Sequence, residues 1–464
     1  MRGRLVIACV AAVLGTALIA LPAAQARSRF DVKVLGHVPA PGYPALSYVA
    51  PDRTTYVGTF IGPNSTNAPA TVFSYKPDGT LLDSYTISGE NGSQNGVQTA
   101  AMDGRGLLYL LDQHPARIVI LNPITRDQQT YATFADVPPC VPQGSGGDCS
   151  DTLMDNEPEP DYAAWGPDGS LYVTDYVQGL IWRVPPGGGQ AKVWFTDPRF
   201  DALQFGPAGI ELMPDHRTLM VSTAAGPPMA PNNTTGKLYT LPIQPDGKPG
   251  ELKQIWESGP AEAPDGFALA RSGNIYLALV DANVNQLVVI SPTGKELARI
   301  THDGSGGAGD VPFDSPSSVR FDGDRLIVTN DAYFTGTPSH WVTFDVFAGE
   351  QGEPIYVPPA STTPGPRPVP AVSGKRYLLR ISSRKLRARH RVRIRFAATV
   401  SNSGAKASAF GRARVRIAGR TVHLNSRGRG AISLTFRHAG RYTVRLLAAR
   451  GRGTLAKTKL RVVR

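Results

Sequence analysis

"PDGFALARSGNIYLALV", residues 264–280, sets an acidic residue between proline and glycine, runs into an apolar segment, turns through Arg271 to Asn274 and continues into a second apolar segment. Either Asp265 carries chemistry or it merely opens a strand, and the rest of the chain offers a way to decide. The same phrase returns as "PDYAAWGPDGSLYVTD" (160–175), "PAGIELMPDHRTLMVST" (207–223) and "PSSVRFDGDRLIVTN" (316–330). A phrase repeated in this way reads as one supersecondary module that packs on copies of itself.

Aligned on the second apolar segment, the repeats are "TYVGT" at 55, "LYLLD" at 108, "LYVTD" at 171, "LMVST" at 219, "IYLAL" at 275 and "LIVTN" at 326. Each follows a turn rich in Asp, Gly, Ser or Arg and precedes two more strand-like runs, such as "GLIWRV" and "AKVWF". Four short strands per unit, spaced by 48 to 63 residues and without helical periodicity, predict the blades of an all-β, six-bladed β-propeller. An isolated blade leaves both sheet faces wet, whereas radial packing buries them. Ring closure has two candidates for the outer strand of the last blade: "DVKVLGHV" from Asp31 and "PIYV" from Pro354.

In such a ring the connections between strands two and three, and between blades, share one face. The long connections of this chain fall there: the runs from Ile61, from Ala224 and from Asp331, and the segment from Val137 to Glu159. Loops longer than a rigid scaffold needs are the usual seat of binding or catalysis. The first residue of each innermost strand faces the same mouth, which selects Ala45, Gln98, Asp161, Ala208, Asp265 and Ser317. Asp161 and Asp265 are the candidate catalytic residues, and with Gln98 they are the candidate ligands of a divalent metal, calcium or zinc, able to polarise a carbonyl or activate water. The alternative for both is a solvated strand start. Asp52, Asp103, Asp168 and Asp215 lie in the opposite-face turns, where Asp is ordinary turn chemistry. Gln98, His114, His302, Asn330 and His340 are the candidate substrate-binding side chains at the mouth. Asp155, Glu157 and Glu159 lead into Asp161 and suit either solvent or a cationic ligand. No serine nucleophile elbow, paired zinc histidines or phosphate loop is present.

The repeat pattern, and above all "APDGFALARSGNIYLALV", resembles the senescence marker protein, gluconolactonase and luciferin-regenerating enzyme family of six-bladed propellers over residues 40 to 357. The resemblance implies hydrolysis of sugar lactones or related esters. It also implies a divalent metal held by a first-blade Glu, an Asn in a "P-N-G" phrase and an Asp in a "P-D-G" phrase. Asp265 matches the last of these, but the middle phrase reads Pro207-Ala208-Gly209 and the first-blade position reads Tyr43-Pro44-Ala45. Two readings stay open: a site moved toward Gln98, Asp161 and Asp265, or a fold kept for binding and recognition alone.

Arg2 and Arg4, an apolar run from Leu5 to Leu21 and Ala24-Gln25-Ala26 read as a signal peptide over residues 1–26. The expectation is therefore an exported protein, secreted or associated with the cell envelope, with no transmembrane segment in the mature chain. In an oxidising compartment Cys140 and Cys149, with eight residues between them, suit a disulfide. From Pro354 onward the chain carries 27 Lys and Arg and no Asp or Glu, leaving 22 basic against 37 acidic residues before it, so the formal +12 averages two oppositely charged bodies. A Pro-rich linker (358–373) separates the propeller (27–357) from residues 374–464. There "RVRIRF", "RARVRI" and "RYTVRL" alternate arginine with apolar residues, predicting half-buried strands of a small basic β-sandwich. "GRGAISLTF" and "GRYTVRL" resemble bacterial immunoglobulin-like modules. Outward arginines suit an anionic envelope polymer or lipid head groups; no nucleic acid is expected, because aromatics are sparse among the basic strands. The functional expectation is a small-molecule ligand at the channel mouth, with metal-assisted lactone or ester hydrolysis or recognition alone as its two outcomes.

Overall fold

The computed structural model describes residues 27–464 except 61, 63–67, 92–95, 153–155, 202–204, 225–234, 360–375, 383–384, 388, 402–413, 419, 426–428, 448–453 and 464. The signal segment 1–26, Asp155 and most of the Pro-rich linker lie outside the described residues. The chain divides into two compact units, Met1–Arg367 and Pro368–Arg464.

The first unit is a six-bladed β-propeller of antiparallel four-stranded sheets, the second of which gains a two-residue fifth strand, Gly189–Gln190, parallel to Gln128–Thr133. The inner strands, blades 1 to 6, are Pro44–Val49, Val97–Met102, Pro160–Trp165, Pro207–Leu212, Pro264–Leu269 and Pro316–Asp322. The strands that follow them are Thr55–Thr59, Leu108–Gln113, Leu171–Asp175, Thr218–Thr223, Ile275–Leu279 and Arg325–Asn330. Each inner strand packs beside those of the neighbouring blades, and the first meets the sixth. The N-terminal candidate closes the ring: Val32–His37 pairs antiparallel with Val342–Phe347 as the outer strand of blade 6. The Arg27 guanidinium braces that closure by donating to Asp31 and Asp345 at 2.9 and 2.7 Å. Pro354–Val357 forms no strand.

Burial follows from radial packing. The second strands Leu108–Gln113 and Leu171–Asp175 are buried at every position, because neighbouring blades cover both of their faces. Outer strands such as Leu81–Thr86 are mostly exposed. Each large apolar side chain withdrawn from water contributes about 1.5–3 kcal/mol, and the cores between blades hold many, among them Tyr109, Leu171, Tyr172 and Trp182. Apart from two single-turn 3₁₀ segments, the described elements are strands, and no helix among them is long and apolar enough to cross a membrane.

The second unit has two sheets. One orders Arg376–Ile381, Arg391–Ser401 and Arg429–Thr435; the other orders Lys385–Arg387, Thr454–Val463, Gly440–Leu447, Arg414–Ile417 and Arg420–His423. Ile394 and Phe396 from the first sheet share a core with Val415, Val444, Leu446 and Leu460 from the second. The alternation read from sequence sets the faces: Ile394 and Phe396 are buried while Arg391, Arg393 and Arg395 are exposed. In the larger sheet Arg441 stands opposite Arg461, and Arg416 opposite Arg445.

Candidate functional site

Five of the six inner strands open on proline. An inner strand is the edge of its sheet, so the missing N–H costs no ladder bond. Directly after Pro44, Pro160, Pro207, Pro264 and Pro316 the pairing register slips. A bulge of this kind re-aims the side chains it releases. Ala45, Gln98, Asp161, Ala208, Asp265 and Ser317 all line one cavity of about 530 Å³ at the channel mouth.

Hydroxyls on the second strands fix these openings. Thr174 Oγ1 donates to the Ala208 carbonyl at 2.6 Å, Ser222 Oγ to the Asp265 carbonyl at 2.6 Å and Thr329 Oγ1 to the Ala45 carbonyl at 2.9 Å. In blades 3, 4 and 6, therefore, one strand-two side chain clamps the next inner strand. The glycine of the "P-D-G" phrase is a requirement of contact. A Cβ at Gly266 would lie 2.5 Å from the Tyr162 hydroxyl and 2.9 Å from the Ser317 carbonyl, and that hydroxyl donates to the Ser317 carbonyl at 3.0 Å.

The floor of the cavity is acidic. Gln98 Nε2 donates to Asp161 Oδ1 at 3.1 Å, while Gln98 Oε1 and Asp331 Oδ1 are buried without a partner. Burial, and then the neighbouring Asp265 carboxylate, push Asp161 well above its ordinary value against the Gln98 amide. Burial pushes Asp265 up to about 7, opposed by the adjacent Tyr162 hydroxyl. Asp331 is raised by burial, then by Asp265 and Asp314. His114 lines the same cavity, and burial holds its imidazole below its ordinary value against the pull of Glu157 and Asp112. Its Nε2 lies 4.0 Å from Glu159 Oε1.

Glu157 and Glu159 reach the cavity from the connection between blades 2 and 3. The Cys140–Cys149 disulfide ties that connection, and the Cys140 amide donates to the Ser150 carbonyl at 2.7 Å. Asp175 holds its far end, both carboxylate oxygens accepting from the Glu159 amide at 3.1 Å while one takes Trp182 Nε1 at 2.9 Å. The Tyr176 hydroxyl donates to Glu159 Oε2.

Three expected binding side chains lie outside the cavity lining, because each is satisfied locally. His302 Nε2 pairs with Asp310 Oδ1 at 2.8 Å, and His340 Nδ1 with Asp314 Oδ2 at 2.7 Å. Asn330 accepts from the Asp314 amide at 2.7 Å and donates to the Pro312 and His340 carbonyls, so it braces a loop. Position on a mouth-side connection does not fix where a side chain points. Conversely, Asp331 and the aromatic walls Phe60, Tyr176, Phe205, Tyr333 and Phe334 were missed. Their signal was available: Phe60, Tyr176, Asp331, Tyr333 and Phe334 sit in "TFIG", "DYVQ" and "DAYF" just past a strand end on the mouth face, and Phe205 in "QFGP" just ahead of an inner strand. Asp52, Asp103, Asp168 and Asp215 take the turn role, each accepting a backbone amide two residues on at 2.9–3.0 Å.

Among the described residues no three His, Cys, Asp or Glu side chains come together as a metal-holding group. Among the described residues the oxygen donors open to a metal there are Asp161, Asp265 and the unpartnered Gln98 Oε1 and Asp331 Oδ1. That all-oxygen set suits a hard cation such as calcium over zinc, which favours nitrogen and sulfur.

No family model matches the chain. A stretch of 239 residues is 26% identical to quinoprotein glucose dehydrogenase B of Acinetobacter calcoaceticus, covering 44% of this chain and 48% of that protein, so the match spans about half of the relative's length. Among solved structures, a calcium-binding regucalcin from Agrobacterium tumefaciens aligns over 71% of this chain and 97% of its own, with TM-score 0.48 and 16% identity. A gluconolactonase from Xanthomonas campestris aligns over 68% and 87%, with TM-score 0.43 and 15% identity.

Proposed function

We propose that this is an exported, gluconolactonase-like propeller that binds a small polar molecule in its channel-mouth cavity and hydrolyses a lactone or ester there. The observation that carries the reading is the convergence of Gln98, Asp161 and Asp265, three of the six strand-opening residues, with Asp331 in one enclosed space. Two neighbouring carboxyls, both raised above their ordinary values, suit acid and base roles at neutral pH. The ionised partner takes a proton from water as it adds to the carbonyl carbon, and the protonated partner gives one to the departing alcohol oxygen. In the alternative form of the site, with both carboxylates ionised, a hard divalent cation held by Gln98, Asp161 and Asp265 would polarise the carbonyl in place of the acid–base pair.

A second reading, recognition without catalysis, is favoured by Ala45 and Ala208, which stand where the resembling family carries a carboxylate and an amide. Metal analysis of the purified protein and a panel of lactones and esters, with Asp265→Asn as control, separate the two. Turnover lost in Asp265→Asn supports hydrolysis, and a metal-free, inactive wild type supports recognition.

The basic unit, immunoglobulin-like in its phrasing, holds the protein at the envelope by binding an anionic polymer. The support is charge: exposed Arg416, Arg441, Arg445 and Arg461 face one another across strands with no acidic residue anywhere after Glu353. Like charges directly opposite are destabilising unless something anionic lies over them. Retention of the full chain in an envelope fraction, compared with a chain ending near Pro358, tests this; equal retention removes the proposal.

A further inference from the structure

We infer that the ligand of the channel-mouth cavity is an organic cation, a small molecule bearing a charged amine or quaternary ammonium group. The inference rests on the cavity being the binding site proposed above, and it adds the chemical class of the occupant.

The first argument is the balance of donors and acceptors. Glu157, Glu159, Asp161, Asp265 and Asp331 line the space, and among the described residues no lysine or arginine does. Several neutral donors in the lining are already committed: Gln98 Nε2 to Asp161, the Tyr162 hydroxyl to the Ser317 carbonyl, the Tyr176 hydroxyl to Glu159 and Ser317 Oγ to the Ala45 carbonyl. Asp331 Oδ1, on a side chain only 6% exposed, accepts from nothing. A buried carboxylate without a donor is costly; against five carboxyl groups the lining sets only the neutral His114 imidazole and the Asn156 amide as further side-chain N–H donors, so the cavity is short of positive charge, which an ammonium supplies. A sugar would bring as many acceptors as donors.

The second argument is independent of charge. Tyr176 and Phe205 stack with planes 10° apart and centroids at 5.7 Å. Phe60 packs on Tyr333 at 6.1 Å, and Tyr333 on Phe334 at 5.4 Å. The first pair comes from blades 3 and 4 and the second group from blades 6 and 1, so in a ring of six the two walls arise on opposite sides of the axis. Phe205 and Phe334 are 43% and 51% exposed, an uncovered apolar rim. Aromatic faces around a carboxylate floor attract a cation carrying carbon, through the ring quadrupole. A bare metal ion uses neither the walls nor about 530 Å³ of space.

Calorimetric titration of the full chain with choline, with putrescine, with 3,3-dimethylbutan-1-ol (the uncharged isostere of choline), with gluconolactone and with calcium tests the inference. At least one organic cation is expected to bind ten-fold or more tightly than the uncharged isostere. Asp331→Asn is expected to weaken that binding ten-fold or more, and Phe334→Ala, a rim truncation with little consequence for folding, to weaken it about three-fold or more. Binding of the isostere or of gluconolactone as tight as that of the cations overturns the cation assignment and leaves the cavity reading standing. Cation binding unchanged in both variants also overturns it, and the absence of binding by every probe overturns both.

Discussion

Asp265→Asn should make the protein more stable while removing its function. The wild-type carboxyl titrates at about 7 in the folded ring, against an ordinary 3.8, chiefly because it is buried. Forcing such a group to ionise costs the folded state at most about 4 kcal/mol, at about 1.4 kcal/mol per pH unit, and less than that because Asp265 is only half-buried at the cavity mouth. The sign follows from linkage. Between pH 3.8 and about 7 the unfolded chain has lost the proton while the fold keeps it, so stability falls as pH rises through that window. Asparagine keeps the shape and removes the charge, and because Asp161 and Asp331 are relieved as well, a gain on the order of 2 kcal/mol at pH 8 is expected. For a ring of this size that is roughly 3–6 °C in Tm. The assay is thermal unfolding of both proteins at pH 8 and pH 5, where the expected gain at pH 5 is less than half of that at pH 8. A gain equal at the two pH values, or a loss at pH 8, would refute the reasoning. Stability lost to a functional carboxylate is the trade expected of a binding site.

Other consequences are accessible to the same instruments. Burial raises Glu211 to about 7 and Asp175 to about 6, so the unfolding free energy of the whole ring should increase by a few kcal/mol as pH falls from 8 toward 5; urea denaturation showing a steady loss over that interval would contradict it. Ser222→Ala removes the donor that clamps the Asp265 carbonyl, and a cost of about 1–2 kcal/mol with unchanged urea m-value is expected; a neutral result would mean the inner strands hold their openings without the clamp. In the basic unit, replacing Arg416 and Arg445 by Ala should weaken retention on an anionic polysaccharide resin and flatten its dependence on NaCl, read from elution salt. Elution unchanged by the replacements would place the contact elsewhere.

The sequence repeats were sufficient to count the blades because a middle strand covered on both faces must be mostly apolar, and "LYLLD", "LYVTD" and "IYLAL" are apolar except at their mouth-side ends, Asp112 and Thr174-Asp175. Five of the six strand-opening residues were legible from a second recurrence, a bulge after proline at a fixed place in the unit, and Gln98, after Val97, followed from its register with them. What the repeats could not carry was anything outside them. His302 and His340 have the right residue type on the right face, yet Asp310 and Asp314 draw them into loop bracing. Asp175 closes one second strand and Asp331 directly follows a similar one, but Asp175 is consumed by backbone amides and Trp182 while Asp331 retains an oxygen unpartnered among the described residues. That distinction depends on the connection each strand leads into, and loop conformations carry no period to read.

An acidic cavity at the channel mouth that takes a ligand is the central claim. A crystal structure of the chain grown with the tightest-binding organic cation measures this most directly. The account predicts its nitrogen within hydrogen-bonding or ion-pairing reach of Asp161, Asp265 or Asp331 and its carbon skeleton against Tyr176, Phe205 or Phe334. A cation seated elsewhere, or Asp265 turned out of the cavity toward bulk water, would contradict it.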